Sequence, residues 1–231
     1  MTRSQSMFTV SDAWRKAYPG AAIGVLAMQG VANPEGHAGL NARKEELENE
    51  LRARFSGHDR AALKSIPVIR AYNDYYKRFG KSYHVQLQLE SIVHKGKSIP
   101  RVAALVESMF MAELKNQMLT AGHDLDALEM PVGVDIAQGD EHYTRINGQD
   151  QQMKPGDMMI SDACGIMSSI VYGPDQRTRI TPETERVLFT VYVSPGIDAD
   201  TVRAHLEDMR SNVLVVSPEA RTEVLEVYRA E

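Results

Sequence analysis

Residues 98–114, SIPRVAALVESMFMAEL, read as the clearest helix in the chain, and what flanks them decides the fold. Ser98 is placed to cap, Pro100 to sit near the first turn, and Val102, Leu105, Val106, Met109, Phe110 and Leu114 to form one apolar stripe. Met109 and Met111 read as core filler. Beyond Gly122 the character changes. MPVGVDIA (130–137), DMMIS (157–161), GIMSSIVY (165–172) and RVLFTVYV (186–193) are short β-rich runs separated by turn residues, so this half is expected to be sheet. Residues 198–211, with Val202, Leu206 and Met209 in register, predict a helix that feeds a final short strand at VLVVS (213–217).

Upstream, residues 21–28 read as a buried strand followed by the turn-rich VANPEGHAG. Leu47, Leu51 and Phe55 recur every four residues within the charged stretch 41–56, which predicts a surface helix whose Arg, Lys and Glu residues form a solvated face. Pro67 opens a helical segment through Phe79, FGKSYH breaks it, and 85–94 resumes as helix. Without repeats or a long linker, the order of helices before strands predicts an α+β fold in a single domain, 1–231.

Composition limits the function classes. With 231 residues, 43% of them hydrophobic and 25% charged, the chain can bury a core without disulfides, and its single Cys164 could form none internally. No apolar run reaches the roughly 18 residues of a membrane helix, and the polar start MTRSQSMFTV lacks a signal peptide's apolar stretch, so a cytoplasmic protein with no membrane partner is expected. A formal charge of −5 argues against a strongly basic binder; no DNA partner is expected, although a local basic patch remains compatible.

Motifs of large enzyme classes are missing: there is no Walker-type loop, GxGxxG, HExxH, CxxC or GxSxG. His123 with Asp124 and Asp126, or Asp140 with Glu141 and His142, could supply hard ligands, but such turn clusters more often cap helices, and no metal or cofactor is expected. Cys164 at a strand end reads as a small buried residue rather than a nucleophile. Positive charge is densest at Lys77, Arg78 and Lys81 and at Lys95, Lys97 and Arg101, interleaved with aromatic and histidine side chains that could stack on bases.

In order along 72–193 stand YYKRFGKSYH, HKGKSIPRVAALVESM, GHDLDAL, GDEHY, KPGDMMISD and YGPDQRTRITPETERVLF. This succession resembles the tRNA-editing domain of the phenylalanyl-tRNA synthetase beta subunit, and more closely its free-standing bacterial relatives. The DLD and RTRITPET segments weigh most. The resemblance implies an α/β unit with a pocket that takes the mischarged aminoacyl end of tRNA and hydrolyses the ester, mainly removing tyrosine from the phenylalanine tRNA. Without an aminoacylation core the chain is not expected to be a ligase.

Carried over by position, the resemblance implies a substrate site that includes Ala103, Glu107, His123, Asp124 and Thr190. Ala103 stands where the family has a pocket asparagine, Ala121 where it has a histidine, and Thr190 where it has a glutamate. His123, two residues on, is the candidate replacement for that histidine, and Glu107 matches the family's acidic residue after Leu-Val. A threonine cannot give a phenol hydroxyl the charge-assisted hydrogen bond of a glutamate, so tyrosine selectivity is expected to be weakened. Aminoacyl-tRNA hydrolysis in trans, a form of translation quality control, is the first functional expectation, with tRNA or aminoacyl-tRNA as partner. A non-catalytic module that binds tRNA, other RNA or a small ligand on the same fold is the alternative, and a small-molecule sensor or enzyme sharing only the fold is a third.

Overall fold

Two eight-residue runs, Ala22–Gln29 and Arg186–Val193, are buried on both faces and pair antiparallel along their whole length. They are the centre of the fold, which a computed structural model describes for residues 7–231; the polar opening, residues 1–6, lies outside the described residues. In chain order the elements begin β1 (Phe8–Val10), α1 (Asp12–Ala17), β2 (Ala22–Gln29), α2 (Ala38–Arg54), α3 (Arg60–Ser65), α4 (Pro67–Arg78), α5 (His84–Lys95) and α6 (Ala104–Asn116). There follow β3 (Leu119–Asp124), a 3₁₀ turn (Leu125–Ala127), β4 (Val132–Ile136), β5 (His142–Thr144), β6 (Asp150–Gln152) and β7 (Met158–Asp162). The chain ends with β8 (Gly165–Ser169), β9 (Gly173–Pro174), β10 (Arg186–Val193), α7 (Ala199–Val216) and β11 (Arg221–Arg229).

The fold is α+β, as the sequence predicts, but its order is more interwoven. One antiparallel sheet runs β11-β2-β10-β3 and so draws strands from both halves; a second runs β1-β4-β7-β8-β9, with β1 parallel to β4. Register fixes which side chains share a face of the first sheet. Gly24, Val191 and Thr120 lie in one row toward α7, where a Cβ on Gly24 would stand 2.9 Å from Val202 Cγ1, so only glycine lets the helix settle this closely. On the opposite face Tyr228, Ile23, Tyr192 and Leu119 form a row that meets the second sheet: Phe8 packs on Tyr228 with ring centroids 5.1 Å apart, and Ser168 bonds the Tyr192 hydroxyl at 2.6 Å.

The YYKRFGKSYH motif builds an aromatic layer under these sheets. Tyr72 stacks on Tyr83 at 4.5 Å, and Tyr75, Tyr76 and Phe79 complete the layer. Each buried hydroxyl has a partner, as burial requires: Tyr75 donates to Asp157, Tyr76 to Ile170 O and Tyr83 to Gln117 O. The Tyr72 hydroxyl is inserted at the end of the β3–β10 ladder, accepting from Leu119 N–H and donating to Tyr192 C=O.

Four expectations need correction. VLVV (213–216) is not a strand; it extends the α7 stripe Val202, Leu206, Met209, Val213, so helical packing outweighs β-propensity, and the last strand is instead the charged edge β11. The helix at 98–114 begins only at Ala104: Ser98 and Pro100 precede it and Val102 is exposed. Cys164 is exposed, not buried, and its thiol is held above its ordinary pKa by a hydrogen bond to Glu129, which argues further against a nucleophile.

The charged face of α2 is not wholly solvated either. Lys44 and Glu48 are buried because they hold the segment leading into α6. Glu48 accepts from Ile99 N–H at 2.7 Å, Arg52 donates to Lys97 O, and Glu107 accepts from Val102 N–H while pairing with Lys44 at 2.5 Å. Asn33 completes the anchorage by accepting from Leu105 N–H. Removing one member of a buried pair strands the other charge, so Glu107→Ala is expected to cost about 3–5 kcal/mol in urea unfolding, and Lys44→Met with Glu107→Leu to recover more than half of that loss. Equal losses in the single and double variants would show that the pair is not what holds this helix end.

Candidate functional site

Helix α6 passes into the edge strand β3 through only two residues. Gln117 takes a left-handed conformation, φ 56°, and its side-chain amide donates to Leu114 O and Lys115 O, closing the helix. Strand and helix therefore diverge from a common corner, and between them and β8–β9 opens a cavity of about 430 Å³. Val106, Met109 and Phe110 of α6, Ile170 and Val171 after β8, and Ile146 and Ile180 from loops give it mostly apolar walls.

Its polar groups are few and placed. Thr120 and Asp124 direct their N–H groups away from β10, to Glu113 Oε1 and Thr178 O. By the alternation of an antiparallel strand the N–H of Gly122, between them, leaves the same edge, and Gly122 lines the cavity. Ile180 Cδ1 would lie 2.8 Å from a Cβ at Gly122, so the absence of a side chain there lets Ile180 of the RTRITPET segment lie against β3. Glu113 is buried, and burial pushes its carboxyl up to about 8, so it is largely a neutral acid at pH 7. Ser169 on the wall is committed to Asp157, whose own carboxyl burial raises to about 6. Arg145, on the loop after β5, also faces the cavity.

None of the five residues expected to contact substrate lines this cavity; their neighbours do. Ala103 is the N-cap of α6, one turn before Val106. Glu107 turns to Lys44. Asp124 caps the 3₁₀ turn and accepts from Thr184 at 2.8 Å, while Asp126 pairs with Arg186. Thr190 and His123 share the face of the sheet that carries Ala121, and Ala121 does line the cavity; both stand behind it, fully buried. The His123 Nδ1 lies 2.7 Å from Thr178 Oγ1, whose proton goes to Asp175, so Nδ1 donates and Nε2 is left a bare, unpartnered lone pair. Burial, with the Arg177 charge adding, pushes this imidazole down to about 3.

Of the six basic residues, Lys81 lies over the Tyr172 ring at the cavity wall, and Lys97 lines a groove between α5 and α6 that shares His84 and Phe110 with the cavity. Arg78 covers the rings of Tyr18, Tyr75 and Phe79. Lys77, Lys95 and Arg101 are exposed. Among the described residues no three potential metal-ligating side chains gather, and no helix is long and apolar enough to cross a membrane. Reading the sequence alone misses Glu113 and Arg145. Glu113 leaves a trace, an acid one turn beyond Met109 and Phe110 in the apolar stripe; Arg145, in a turn, leaves none.

The B3/4 domain model matches residues 71–213, more than half of the chain. The chain belongs to the B3/4 domain family. The match encloses the six motifs and both walls of the cavity that α6 and β3 provide. A structure of an N-terminal fragment of the phenylalanyl-tRNA synthetase beta-subunit from Pyrococcus horikoshii is similar over 93% of this chain and 49% of that one, at 10% identity and a TM-score of 0.48. This chain thus spans about half the length of that fragment. No curated protein matches.

The B3/4 cavity carries its own pH signature. Because the Glu113 carboxyl stands at about 8 in the folded protein against an ordinary 4.5, the fold keeps a proton that the unfolded chain releases, and stability falls as pH rises between those values. Glu113→Gln preserves the acceptor for Thr120 and removes the titration, so it is expected to be more stable than wild type by roughly 1–4 kcal/mol near pH 8, with little gain near pH 4.5. Urea midpoints across that range measure the difference; parallel profiles would contradict the neutral acid.

Proposed function

We propose that this B3/4 domain is an ester hydrolase acting in trans on aminoacyl-tRNA, with the aminoacyl end seated in the cavity between α6 and β3. The carrying observation is the combination of apolar walls with a sheet edge at Gly122 whose N–H has no ladder partner. In this reading Val106, Met109 and Phe110 take the amino-acid side chain, and the Gly122 N–H polarises the ester carbonyl as charge develops on its oxygen. The carboxyl of Glu113, as a neutral acid, donates to the same end of the substrate. A positioned water is the nucleophile, helped by a hydroxyl of the terminal ribose; orientation then supplies most of the rate. Thr190 and His123 shape the site from behind Ala121. Lys81 and Lys97, near the cavity and the adjoining groove, meet the phosphates, joined by Lys77, Arg78, Lys95 and Arg101 as the chain of RNA leaves the site.

A second reading, a module that binds the same tRNA end without turnover, is favoured by one feature: Ala121 offers no acid, base or nucleophile, and Thr190 is buried behind it. Deacylation of a panel of mischarged tRNAs by the purified chain, with binding measured in parallel, separates the two. Hydrolysis of at least one ester supports the first; tight binding with no hydrolysis leaves only the second.

Two outcomes follow from the residues. Without a carboxylate to read a phenol hydroxyl, tyrosyl- and phenylalanyl-tRNA should be hydrolysed at rates within about 10² of each other, and a preference for the tyrosyl ester above about 10³ would contradict this cavity. Reversing charge at Lys95 and Lys97 should weaken tRNA binding and flatten its salt dependence by about one unit of slope per lost phosphate contact. Unchanged affinity would remove that surface from the RNA path.

A further inference from the structure

Arg145 is, among the described residues, the arginine with a buried side-chain nitrogen that has no hydrogen-bond partner. Several arginines, Arg52, Arg60, Arg177, Arg186 and Arg210, reach a carboxylate, and Arg78 lies over aromatic rings. Arg145 has neither kind of partner there. It is half-buried in the cavity wall, and its Nε is shut off from solvent with no hydrogen-bond acceptor. A buried donor nitrogen left unsatisfied loses its hydration without compensation, and such a group calls for an explanation.

The main chain of the loop fixes where the Arg145 side chain starts. The Arg145 N–H donates to Gln149 O at 2.9 Å, its carbonyl accepts from Gly148 N–H at 2.8 Å, and the next residue, Ile146, donates to Pro174 O at 3.0 Å. Arg145 also bridges Asp175 through the main chain, which ties the loop to the second sheet at both sides. Within the cavity lining the one acidic side chain, Glu113, is turned to Thr120 N–H, and burial keeps it largely protonated, so no carboxylate of the lining pairs with the guanidinium.

We propose that Arg145 is the anion-binding residue of this cavity and that the cavity's ligand carries a phosphate or carboxylate on an apolar or aromatic body. A guanidinium fork suits either group, since both present two oxygens to parallel N–H donors. Resting on the reading of the cavity as a ligand site, the assignment has two sources: the phosphate of a terminal nucleotide, or the carboxylate freed on the amino acid when its ester is cut. It does not depend on which of the two is met, nor on turnover.

Calorimetric titration of the full chain with two matched pairs tests it: AMP against adenosine, and N-acetylphenylalanine against N-acetylphenylalaninamide. At least one anion is expected to bind about tenfold or more tightly than its neutral counterpart, a preference that Arg145→Met abolishes while leaving the neutral probe's affinity within about twofold, and that Arg145→Lys keeps in part. Preference for AMP assigns the phosphate; preference for N-acetylphenylalanine assigns the carboxylate. A wild type that binds neither anion better than its neutral partner up to about 10 mM, or a preference that survives in Arg145→Met with unchanged circular dichroism, overturns the assignment. Anion binding through Arg145 without any deacylation would refute the hydrolytic reading alone, whereas deacylation with no anion preference would refute this assignment alone.

Discussion

The left-handed turn at Gln117 is the constraint on which the site depends. A residue with a side chain pays on the order of 1 kcal/mol to sit there, and the fold offsets it by using both ends of the same residue. The side-chain amide closes the last turn of α6, while the carbonyl receives the Tyr83 hydroxyl from the aromatic layer. Because the turn is so short, β3 starts where α6 stops, and the two diverge at once. Glu113, one turn back on the helix, then lies close enough to take the Thr120 N–H at 2.7 Å, and the Tyr72 hydroxyl fills the gap at the start of the ladder. The cavity is the wedge of space that this geometry leaves between an edge strand and a helix which cannot lie flat against it.

Much of this fold is legible in the sequence because the signals agree with burial. The doubly buried strands β2 and β10 read as continuous apolar runs, and α4 and α5 are bounded by Pro67, the FGKSYH break and the left-handed Gly96. Readings fail where side chains serve main chain at a distance. Lys44 and Glu48 look like ordinary solvent-facing charges until the 97–107 segment is folded over them, and nothing local in KEELENE announces Ile99 N–H or Glu107. VLVV fails for a different reason: its β-branched composition and its place in the α7 stripe give opposite answers, and tertiary packing decides.

The site divides in the same way. Family likeness leads to the strand and the helix that wall the cavity, yet whether a residue lines it depends on which side of a strand it faces and on which turn of a helix it sits. A small change of position therefore moves a side chain from the wall to the layer behind it, as with Thr190 and His123 behind Ala121. Gly122, Glu113 and Arg145 acquire their chemistry from surroundings: an unpaired edge, a buried carboxyl, a guanidinium without an acceptor. Residue type alone carries none of these.

On the proposed function, the aminoacyl end of RNA enters the wedge between α6 and β3. Amide chemical shifts of the full chain, titrated with a non-hydrolysable amide-linked phenylalanyl-adenosine, test it most directly. Entry there should give saturable shifts concentrated at Gly122, Thr120 and the 106–113 turns of α6, with the Gly122 amide moving most. Saturable shifts confined to other surfaces, or none at Gly122 when the ligand is bound, would contradict it.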